Sequence, residues 1–428
     1  MSQQRIAIIG GGWAGIAAAI ELTLAGRPVT LFEAAPLLGG RARAMRWQGL
    51  EIDNGPHLML GAYTETLRLI DLLGTREALD RHPLRLLGPD LDLRLPKLPA
   101  PLHLVVGLAT ARGLSWHEKW AAARLIHRLQ GQGWQLVADR PLADWLHHEG
   151  QPERLVRRLW QPLALAALNT PLHLASAQTF AIVLRDSLGG PRTASDALFT
   201  RTRLEAVFSE PARCWLEKQG ANLHIGQRIR QIRHTVDGWR LDDQAPPYAQ
   251  LILATSPIET ARLLEGHQEG HPATALQSAL TRLSWQPITN LWLRFSRHLP
   301  LPYPMQALGE MDAPWLIDRQ DNAEGLVCLV ASADGPHHQA NPAQRLADWL
   351  ALLEQRCGPL PPLQAHRWVH ERRATFTATP NRPRFNAKTN LPGLWLAGDY
   401  THPDYPATLE GAVRSGVQCA RLLLRVPV

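Results

Sequence analysis

The stretch RIAIIGGGWAGIAAAIELTLAGRPVTLFEA, residues 5–34, decides the fold of this 428-residue chain. Ile6 to Ile9 form a short, continuous apolar run, which is typical of a strand buried on both faces. Residues 16–25 are good helix formers, and a glycine ends that run. A second apolar strand follows over 28–33. Strand, glycine turn, helix and strand in this order predict an α/β fold that begins with a Rossmann-type unit.

The turn between the first strand and the helix has the spacing of a dinucleotide-binding loop. Its three glycines form G-x-G-x-x-G, which permits a tight turn, close approach of a pyrophosphate and close helix packing. The helix N-terminus offers free N–H groups to the phosphates. An acidic residue ends the second strand eighteen residues after the third glycine, where it can accept hydrogen bonds from an adenosine ribose. The predicted cofactor contacts here are Gly10, Gly12, Trp13, Ala14, Gly15 and Glu33.

A glycine pair in LLGGRARA, residues 37–44, follows directly. Gly39 and Gly40 let the backbone pass close to a cofactor, and Arg41 can hold phosphate oxygens. A surface turn with a solvated arginine is the alternative. The sequence resembles the GGR motif of the FAD-dependent amine oxidase and carotenoid desaturase superfamily. That resemblance implies FAD, rather than NAD, as the cofactor.

The C-terminal stretch LPGLWLAGDYTHPDYPATLEGAVRSGVQCARLLL, residues 391–424, predicts a second part of the site. A buried strand leads into the turn Gly398–Asp399, and Thr408 can cap the helix that follows. The resemblance implies that the Gly–Asp pair meets the ribityl and phosphate region of FAD. It also implies that the helix N-terminus points at the flavin pyrimidine ring, through Glu410, Gly411 and Ala412.

Two chemical expectations accompany this helix. Its N–H groups and dipole would stabilise the negative charge of reduced flavin. Since no cysteine falls in 391–411, where some relatives attach flavin covalently, FAD is expected to bind non-covalently.

A middle segment completes the predicted FAD-binding domain. Residues 221–243 predict strands with Ile229 and Ile232 buried, and 249–257 predicts a strand that leads into a turn at Ala254. Both resemble superfamily segments on the adenine side, which implies cofactor contacts by Ile229 and Ala254. The remainder forms a discontinuous α+β substrate domain. Its first part is predicted to be helical, with the clearest helix at 115–130, and its second part is strand-rich, with strand-like runs at 289–296 and 325–332. The predicted boundaries are 1–80, 205–265 and 385–428 for the FAD-binding domain, and 81–204 and 266–384 for the substrate domain.

A histidine stands among glycines and apolar residues in DNGPHLMLGAY, residues 53–63. Burying it costs free energy unless it is hydrogen-bonded. His57 is therefore either a core residue bonded to backbone or a side chain placed against a ligand. NGPHLMLGAY resembles a stretch of phytoene-type desaturases, which implies that Gly55, Pro56 and His57 run along the flavin.

Taken with the C-terminal motif, the chain resembles the hydroxysqualene dehydroxylase branch of the superfamily over its whole length. The resemblance implies a reductive reaction of squalene or hopanoid biosynthesis, in which flavin hydride replaces an allylic hydroxyl. The leaving hydroxyl needs a proton or strong hydrogen-bond donors. The allylic cation needs an apolar pocket without water. The candidate catalytic residues are His57, Tyr400, His402, Asp404 and Tyr405.

A polyisoprenoid substrate has consequences for location. Burial of each CH₂ is worth about 0.8 kcal/mol, so some thirty carbons favour lipid over water by about 20 kcal/mol. The sequence contains no run of about eighteen apolar residues, so no membrane-spanning helix is predicted. We therefore expect a cytoplasmic enzyme on the inner face of the cell membrane, served by an unidentified electron donor. Residues 93–108 and the net charge of +7 are candidates for lipid contact, although 93–108 also fits a tunnel wall or core.

Other interpretations stay open on the sequence. A carotenoid desaturase would move hydride to flavin, an amine oxidase would oxidise a C–N bond, and a flavin-binding redox sensor would turn nothing over. The basic charge fits nucleic acid too, but no recognition motif supports that partner. No metal site or disulfide framework is predicted, since no CxxC pair occurs among Cys214, Cys328, Cys357 and Cys419.

Overall fold

The computed structural model describes residues 5–242, 246–266, 271–310, 313–333, 335, 341–402 and 405–426. Within these residues the strands form a parallel five-stranded sheet, an antiparallel five-stranded sheet and smaller two- and three-stranded sheets. In chain order the strands are β1 (Ile6–Ile9), β2 (Val29–Glu33), β3 (Ala44–Trp47), β4 (Leu50–Asp53), β5 (Met59–Leu60), β6 (Leu79–His82), β7 (Arg85–Leu87), β8 (Asp92–Arg94), β9 (Ala197–Thr200), β10 (Asn222–Ile225), β11 (Ile232–Thr235), β12 (Gly238–Leu241), β13 (Gln250–Leu253), β14 (Trp285–Phe295), β15 (Met305–Ala307), β16 (Trp315–Asp318), β17 (Leu326–Ser332), β18 (Leu363–Phe376) and β19 (Leu394–Leu396).

Helices cover both sheets and fill the segment between β8 and β9. Short 3₁₀ turns occur at Arg76–Ala78 and Arg192–Ser195, and a π-helical turn occurs at Val156–Trp160. The α-helices are α1 (Trp13–Leu24), α2 (Thr64–Leu72), α3 (Leu102–Thr110), α4 (Trp116–Gly131), α5 (Leu142–His148), α6 (Glu153–Leu155), α7 (Gln161–Leu168), α8 (Ala177–Leu188), α9 (Leu204–Val207), α10 (Ser209–Lys218), α11 (Pro257–Leu263), α12 (Pro272–Thr281), α13 (Pro342–Cys357) and α14 (Leu409–Leu424).

The parallel sheet has the order β10-β2-β1-β13-β19. Its central strand β1 is fully buried because helices and loops cover both faces. On one face α1 lies against α14, and a Cβ at Gly416 would come within 2.1 Å of the Ala14 carbonyl oxygen. Only glycine allows this close helix approach. The five strands come from the three segments assigned to the FAD-binding domain, whose boundaries stay a prediction.

The antiparallel sheet has the order β15-β16-β17-β14-β18 and carries α13 on one face. Trp349 and Leu353 of α13 pack on Leu291 and Leu293 of β14. The apolar run predicted as a strand at 289–296 lies in β14 as far as Phe295; β14 begins four residues earlier and pairs with β17 and β18. Pairing with β18, which is distant in the sequence, extends β14 back to Trp285.

The helical segment between β8 and β9 contributes α4, α5, α7 and α8 to an apolar core that continues into the parallel sheet, with Trp145, Trp160 and Phe180 inside. Ser115 caps α4 in a reciprocal capping box with Glu118, so the helix predicted over 115–130 begins at its expected end. Among the described residues, no helix has both the length and the apolar character that crossing a membrane requires.

Candidate flavin site

The glycine turn after β1 is shaped by close backbone contacts. Gly10 has a φ of +108°, and a Cβ there would lie 2.6 Å from the Ala254 carbonyl oxygen. A Cβ at Gly15 would lie 1.9 Å from the Gly10 carbonyl oxygen. Both positions therefore require glycine for packing, and Ala254 of the loop after β13 forms one wall of the turn.

Gly12 is different, because the space beside it is open. A Cβ there would meet no described atom closer than the Gly40 Cα, at 3.9 Å. The hydrogen bonds of α1 start with the Ile16 amide, which donates to the Gly12 carbonyl at 2.9 Å. The amides of residues 13–15 thus have no acceptor within the helix. An open space beside a helix N-terminus suits a pyrophosphate.

Glu33 lies at the end of β2, beside this turn. Its carboxylate accepts hydrogen bonds from the Gly11 amide at 2.6 Å and from the Ala35 amide at 2.7 Å. The two backbone donors fix the carboxylate at the edge of the sheet. Each oxygen keeps a further lone pair with which to accept a ribose hydroxyl.

The GGR turn packs directly on the glycine turn. Gly39 and Gly40 have φ values of +120° and +62°, and the Gly39 amide donates to the Gly11 carbonyl at 2.8 Å. Arg41 donates to Asp399 at 2.6 Å and to the Ala374 carbonyl at 2.7 Å. The structure therefore joins two predicted cofactor residues to each other, and a phosphate would compete with Asp399 for the guanidinium.

The turn after β19 is held from behind. The Gly398 amide donates to Ser415 Oγ at 2.8 Å, and Asp399 is buried. Thr408 caps α14 by accepting from the Gly411 amide at 3.0 Å, as predicted from the sequence. The Ala412 amide donates to the Thr408 carbonyl, so it belongs to the helix.

The side chain of Glu410 binds the N-terminus of α2. It is fully buried and accepts from the Thr66 amide at 2.9 Å and the Glu65 amide at 3.1 Å, which lie at the start of α2. Arg414 donates to it at 2.6 Å. Because the carboxylate satisfies the N-terminus of α2, a flavin contact from this position would have to come from the backbone amide.

Three other predicted cofactor residues contribute backbone rather than side chains. The ring of Trp13 stacks on Phe208 with centroids 4.1 Å apart, inside the core. The carbonyl of Ala14 lies against α14, as described above. Ile229 is 3% exposed, and its carbonyl accepts from Arg262 at 3.2 Å.

The turn that carries His57 is clamped by β14. Asn290 donates through Nδ2 to the Asn54 carbonyl at 3.1 Å, and a Cβ at Gly55 would lie 2.8 Å from that same nitrogen. Gly55 is thus required by packing on the antiparallel sheet. Pro56 and His57 remain partly accessible at the junction of the two sheets.

His57 is neutral at physiological pH. Desolvation, together with the positive charges of Arg41 and Arg319, lowers the pKa of its imidazole to about 4. Protein atoms surround the ring closely, and part of the residue's surface stays accessible. A neutral imidazole donates one hydrogen bond and accepts one.

A buried ion pair between Asp53 and Arg319 lies beneath this turn. No pattern in the sequence indicated Arg319. Arg319 donates to Asp53 at 3.3 Å and to the Thr200 carbonyl at 2.9 Å, and both charged side chains are almost fully buried. Burial raises the pKa of Asp53, and Arg319 opposes that shift. Asp53 also accepts from the Leu204 amide at 2.9 Å.

The structure places Tyr400 in the core, where it is almost fully buried. Its hydroxyl lies 3.3 Å from Thr260 Oγ1 of α11, and its ring meets Phe385 edge-on. Burial raises the pKa of Tyr400 far above its usual value. Its hydroxyl is therefore a poor acid that already has a protein partner.

The remaining candidate donors lie around α14. Tyr405 is buried, with the Arg414 guanidinium 4.7 Å from its ring centre and the His402 ring edge-on at 5.5 Å. His402 also lines a cavity of about 500 Å³ between α2 and α14, together with Thr64. Asp404 lies outside the described residues.

Two side chains that sequence reasoning did not select adjoin the His57 turn. Arg319 follows β16 and Asn290 lies inside β14, where a single polar residue gives no sequence signal. The Oδ1 atoms of Asn54 and Asn290 are buried, and no described residue donates to them. Buried acceptors without partners next to a turn suggest ligand recognition.

These residues fit a dinucleotide that carries a flavin. The open space at Gly12 and the carboxylate of Glu33 lie at the carboxyl ends of the parallel strands β1 and β2, and the turn that leads to α14 follows the carboxyl end of β19. Arg41, which pairs with Asp399 of that turn, lies close enough to His57 to lower the pKa of its imidazole. Comparison with known proteins agrees: the model of the family described as flavin containing amine oxidoreductase matches residues 13–424. The chain belongs to this family.

Members of the family with curated functions extend the comparison. A hydroxysqualene dehydroxylase of Sinorhizobium fredii is 30% identical over 98% of both chains. Another, from Rhodopseudomonas palustris, is 29% identical over 97% of both. The similarity predicted from the two motifs is confirmed at this level. This family member is a flavin-dependent oxidoreductase.

Solved structures show the fold. The cyclohexylamine oxidase of Brevibacterium oxydans superposes with a TM-score of 0.69 at 18% identity, covering 99% of this chain and 100% of the other. The predicted class, a Rossmann-type cofactor fold with a second mixed region, is confirmed.

Proposed function

We propose that the enzyme binds FAD without a covalent bond and removes the hydroxyl of hydroxysqualene reductively to give squalene. The observation that carries the substrate assignment is the 30% identity to a hydroxysqualene dehydroxylase over nearly the full length. The chemistry is supported separately by the His57 turn, which combines a neutral hydrogen-bond donor with buried amide oxygens.

FAD, rather than a mononucleotide, is supported by the glycine turn and by Glu33. The open space at Gly12 suits a pyrophosphate, and Glu33 suits an adenosine ribose, which FMN lacks. Non-covalent binding is supported by the cysteines. Cys328 and Cys419 are buried in the core, and none of the four lies in 391–411.

Bound FAD in its reduced form supplies the hydride. The chain must then assist departure of the hydroxyl. With a pKa of about 4, His57 acts as a hydrogen-bond donor at neutral pH and not as a charged acid. Asn54 and Asn290 offer acceptors that can orient a hydroxyl in the same place. His402 and Asp404 remain candidates for delivering the proton, whereas Tyr400 and Tyr405 are buried.

Apolar residues around the same turn would help to keep water from the reacting carbon. Leu58 packs on a cluster that includes Leu87, Phe199 and Tyr303. An apolar wall next to His57 suits a polyene and protects a cationic carbon from water. The proposal also includes an electron donor of unknown identity and a position of the enzyme at the inner face of the cell membrane.

An anaerobic experiment tests the function. The purified flavoprotein is reduced, hydroxysqualene is added in micelles, and flavin absorbance is followed together with extracted lipid. Reoxidation with one squalene formed per flavin is the expected result. If the flavin stays reduced, the substrate assignment is wrong. The oxidised enzyme is then offered phytoene-like polyenes and amines, and flavin bleaching would identify a desaturase or an amine oxidase.

A further inference from the structure

An exposed apolar face lies on α3, α4 and the segment before them. Among the described residues, twelve large apolar side chains are exposed, and five of these fall within residues 98–120. Trp116 and Trp120 are 74% and 69% exposed, and Val105 is 60% exposed. Two exposed indole rings one helical turn apart are unusual on a protein surface, and exposed apolar surfaces of this kind mark contact sites.

Helical spacing places the exposed side chains of each helix on one face of that helix. Trp116 and Trp120 are four residues apart on α4, and Leu102 and Val105 are three apart on α3, so each pair shares one helix face. The opposite face of α3 is buried through His103 and Gly107. Each helix therefore presents one apolar face to solvent and packs the other.

Lys119 joins the two helices. Its ammonium donates to the Ala109 carbonyl at the end of α3 at 2.6 Å and lies 4.7 Å from the Trp116 ring centre. The first turn of α4 is thus fixed beside the last turn of α3. We call this surface the α3–α4 face; its members are Leu98, Leu102, Val105, Trp116 and Trp120.

The exposed charged side chains of residues 93–131 are all basic, and two of them, Arg94 and Arg128, pair with acids outside this range. Residues 93–131 contain six lysines and arginines against a single acid, a formal charge of +5, whereas the whole chain carries +7. That acid, Glu118, is buried and accepts from the Ser115 amide at 2.6 Å. Lys97, Arg112 and Arg124 are exposed. Basic side chains around tryptophan and aliphatic side chains complement an anionic lipid surface.

We infer that the α3–α4 face docks on anionic membrane, with Trp116 and Trp120 inserted at the headgroup level. The inference rests on the proposed function for its purpose, because a polyene must be taken from lipid. It also extends the lipid contact expected at 93–108 to α4, which the sequence did not indicate. The buried face of α3 lies near Arg192 and Asp196, which precede β9, and β9 pairs with β5 directly after the His57 turn.

Flotation of the holoenzyme with vesicles tests the docking. Vesicles of equimolar phosphatidylglycerol and phosphatidylcholine are compared with pure phosphatidylcholine. W116S/W120S is expected to weaken partition into the anionic vesicles by about tenfold or more, because two indoles are lost from the interface. V137S/V236S is the matched control, since both valines are fully exposed elsewhere, and it should bind as the parent does. Equal binding by W116S/W120S and the parent would overturn the inference.

Charge variants separate lipid from a protein occupant. K97Q/R112Q should weaken binding to anionic vesicles several-fold and leave binding to neutral vesicles unchanged, and salt should have the same effect. If W116S/W120S instead converts a dimer to a monomer in solution and leaves vesicle binding intact, the face belongs to a second copy and the inference fails.

Turnover measurements distinguish failure of the membrane-docking inference from failure of the proposed function. Flotation requires no substrate, so its result holds even if hydroxysqualene is not turned over. If it is, W116S/W120S should match the parent on micellar hydroxysqualene and lose activity only on substrate embedded in anionic vesicles. Equal activity on both substrates would contradict docking through this face.

Discussion

At the scale of single residues, the pair Asp53–Arg319 ties the His57 turn to β16. Removing one partner of a buried pair leaves a charge without compensation, which costs about 3–5 kcal/mol. We expect Arg319→Met to lower the free energy of unfolding by this amount, as measured by denaturant titration. D53N/R319M should recover a large part of the loss, since no buried charge remains.

A surface pair provides the comparison for this prediction. Arg213 and Glu217 form an exposed pair on α10. Arg213→Met should change the free energy of unfolding by less than about 1 kcal/mol. Similar losses for Arg213→Met and Arg319→Met would show that the buried pair is not special.

His57 predicts a pH dependence with a definite sign. Its folded pKa of about 4 lies below the unfolded value of 6.5, so the unfolded chain binds the additional proton as pH falls from 6.5 towards 4. Stability should therefore fall over this window, by on the order of 1–2 kcal/mol between pH 7 and pH 5. His57→Gln should lack this part of the loss in parallel unfolding titrations. Identical pH profiles for parent and variant would show that His57 titrates normally.

At the scale of elements, the turn from β1 into α1 separates packing from cofactor binding. Gly12 has extended backbone with φ of −73°, which alanine also adopts. Gly12→Ala should fold, with a loss of about 1 kcal/mol or less at the helix cap. Its methyl group would occupy the phosphate space, so we expect flavin affinity to fall at least about tenfold. Flavin retained after gel filtration, together with circular dichroism, measures both effects.

Two other glycines control this prediction. Gly131→Ala, in α4, meets nothing within 4 Å and should leave flavin binding unchanged. Gly15→Ala would force the methyl against the Gly10 carbonyl and should lower stability as well. If Gly12→Ala binds flavin as the parent does, the pyrophosphate lies elsewhere.

Elements near the glycine turn and the C-terminal helix could be predicted because their signals are local. β1 ends where the apolar run ends, and Thr408 caps α14 as its position suggested. Side-chain partners could not be predicted in the same way. The Arg41–Asp399 pair spans most of the chain, and the task of Glu410 depends on where α2 begins. Such contacts exist only once distant segments meet.

At the scale of the whole molecule, flavin should stabilise the chain as one unit. The proposed flavin site uses β1, β13 and α14, and the His57 turn is held by β14 of the other sheet. A ligand at one hundred times its dissociation constant adds about 2.7 kcal/mol to the stability of the folded state. We expect FAD to raise the melting temperature of the apoprotein, with flavin release and loss of near-ultraviolet circular dichroism in one transition. Two separate transitions would show that the sheets unfold independently.

The strand order of the parallel sheet has a consequence for biosynthesis. β1 and the glycine turn leave the ribosome first, but β19 and α14 follow only after β14–β18 have been made. A nascent chain therefore displays the glycine turn long before the edge strand and the helix that complete the proposed flavin site exist. Because domains fold as units once their segments are available, we expect cofactor capture to wait for the C-terminal segment. Chaperones would meet a chain whose first-made strands must stay open for partners synthesised last.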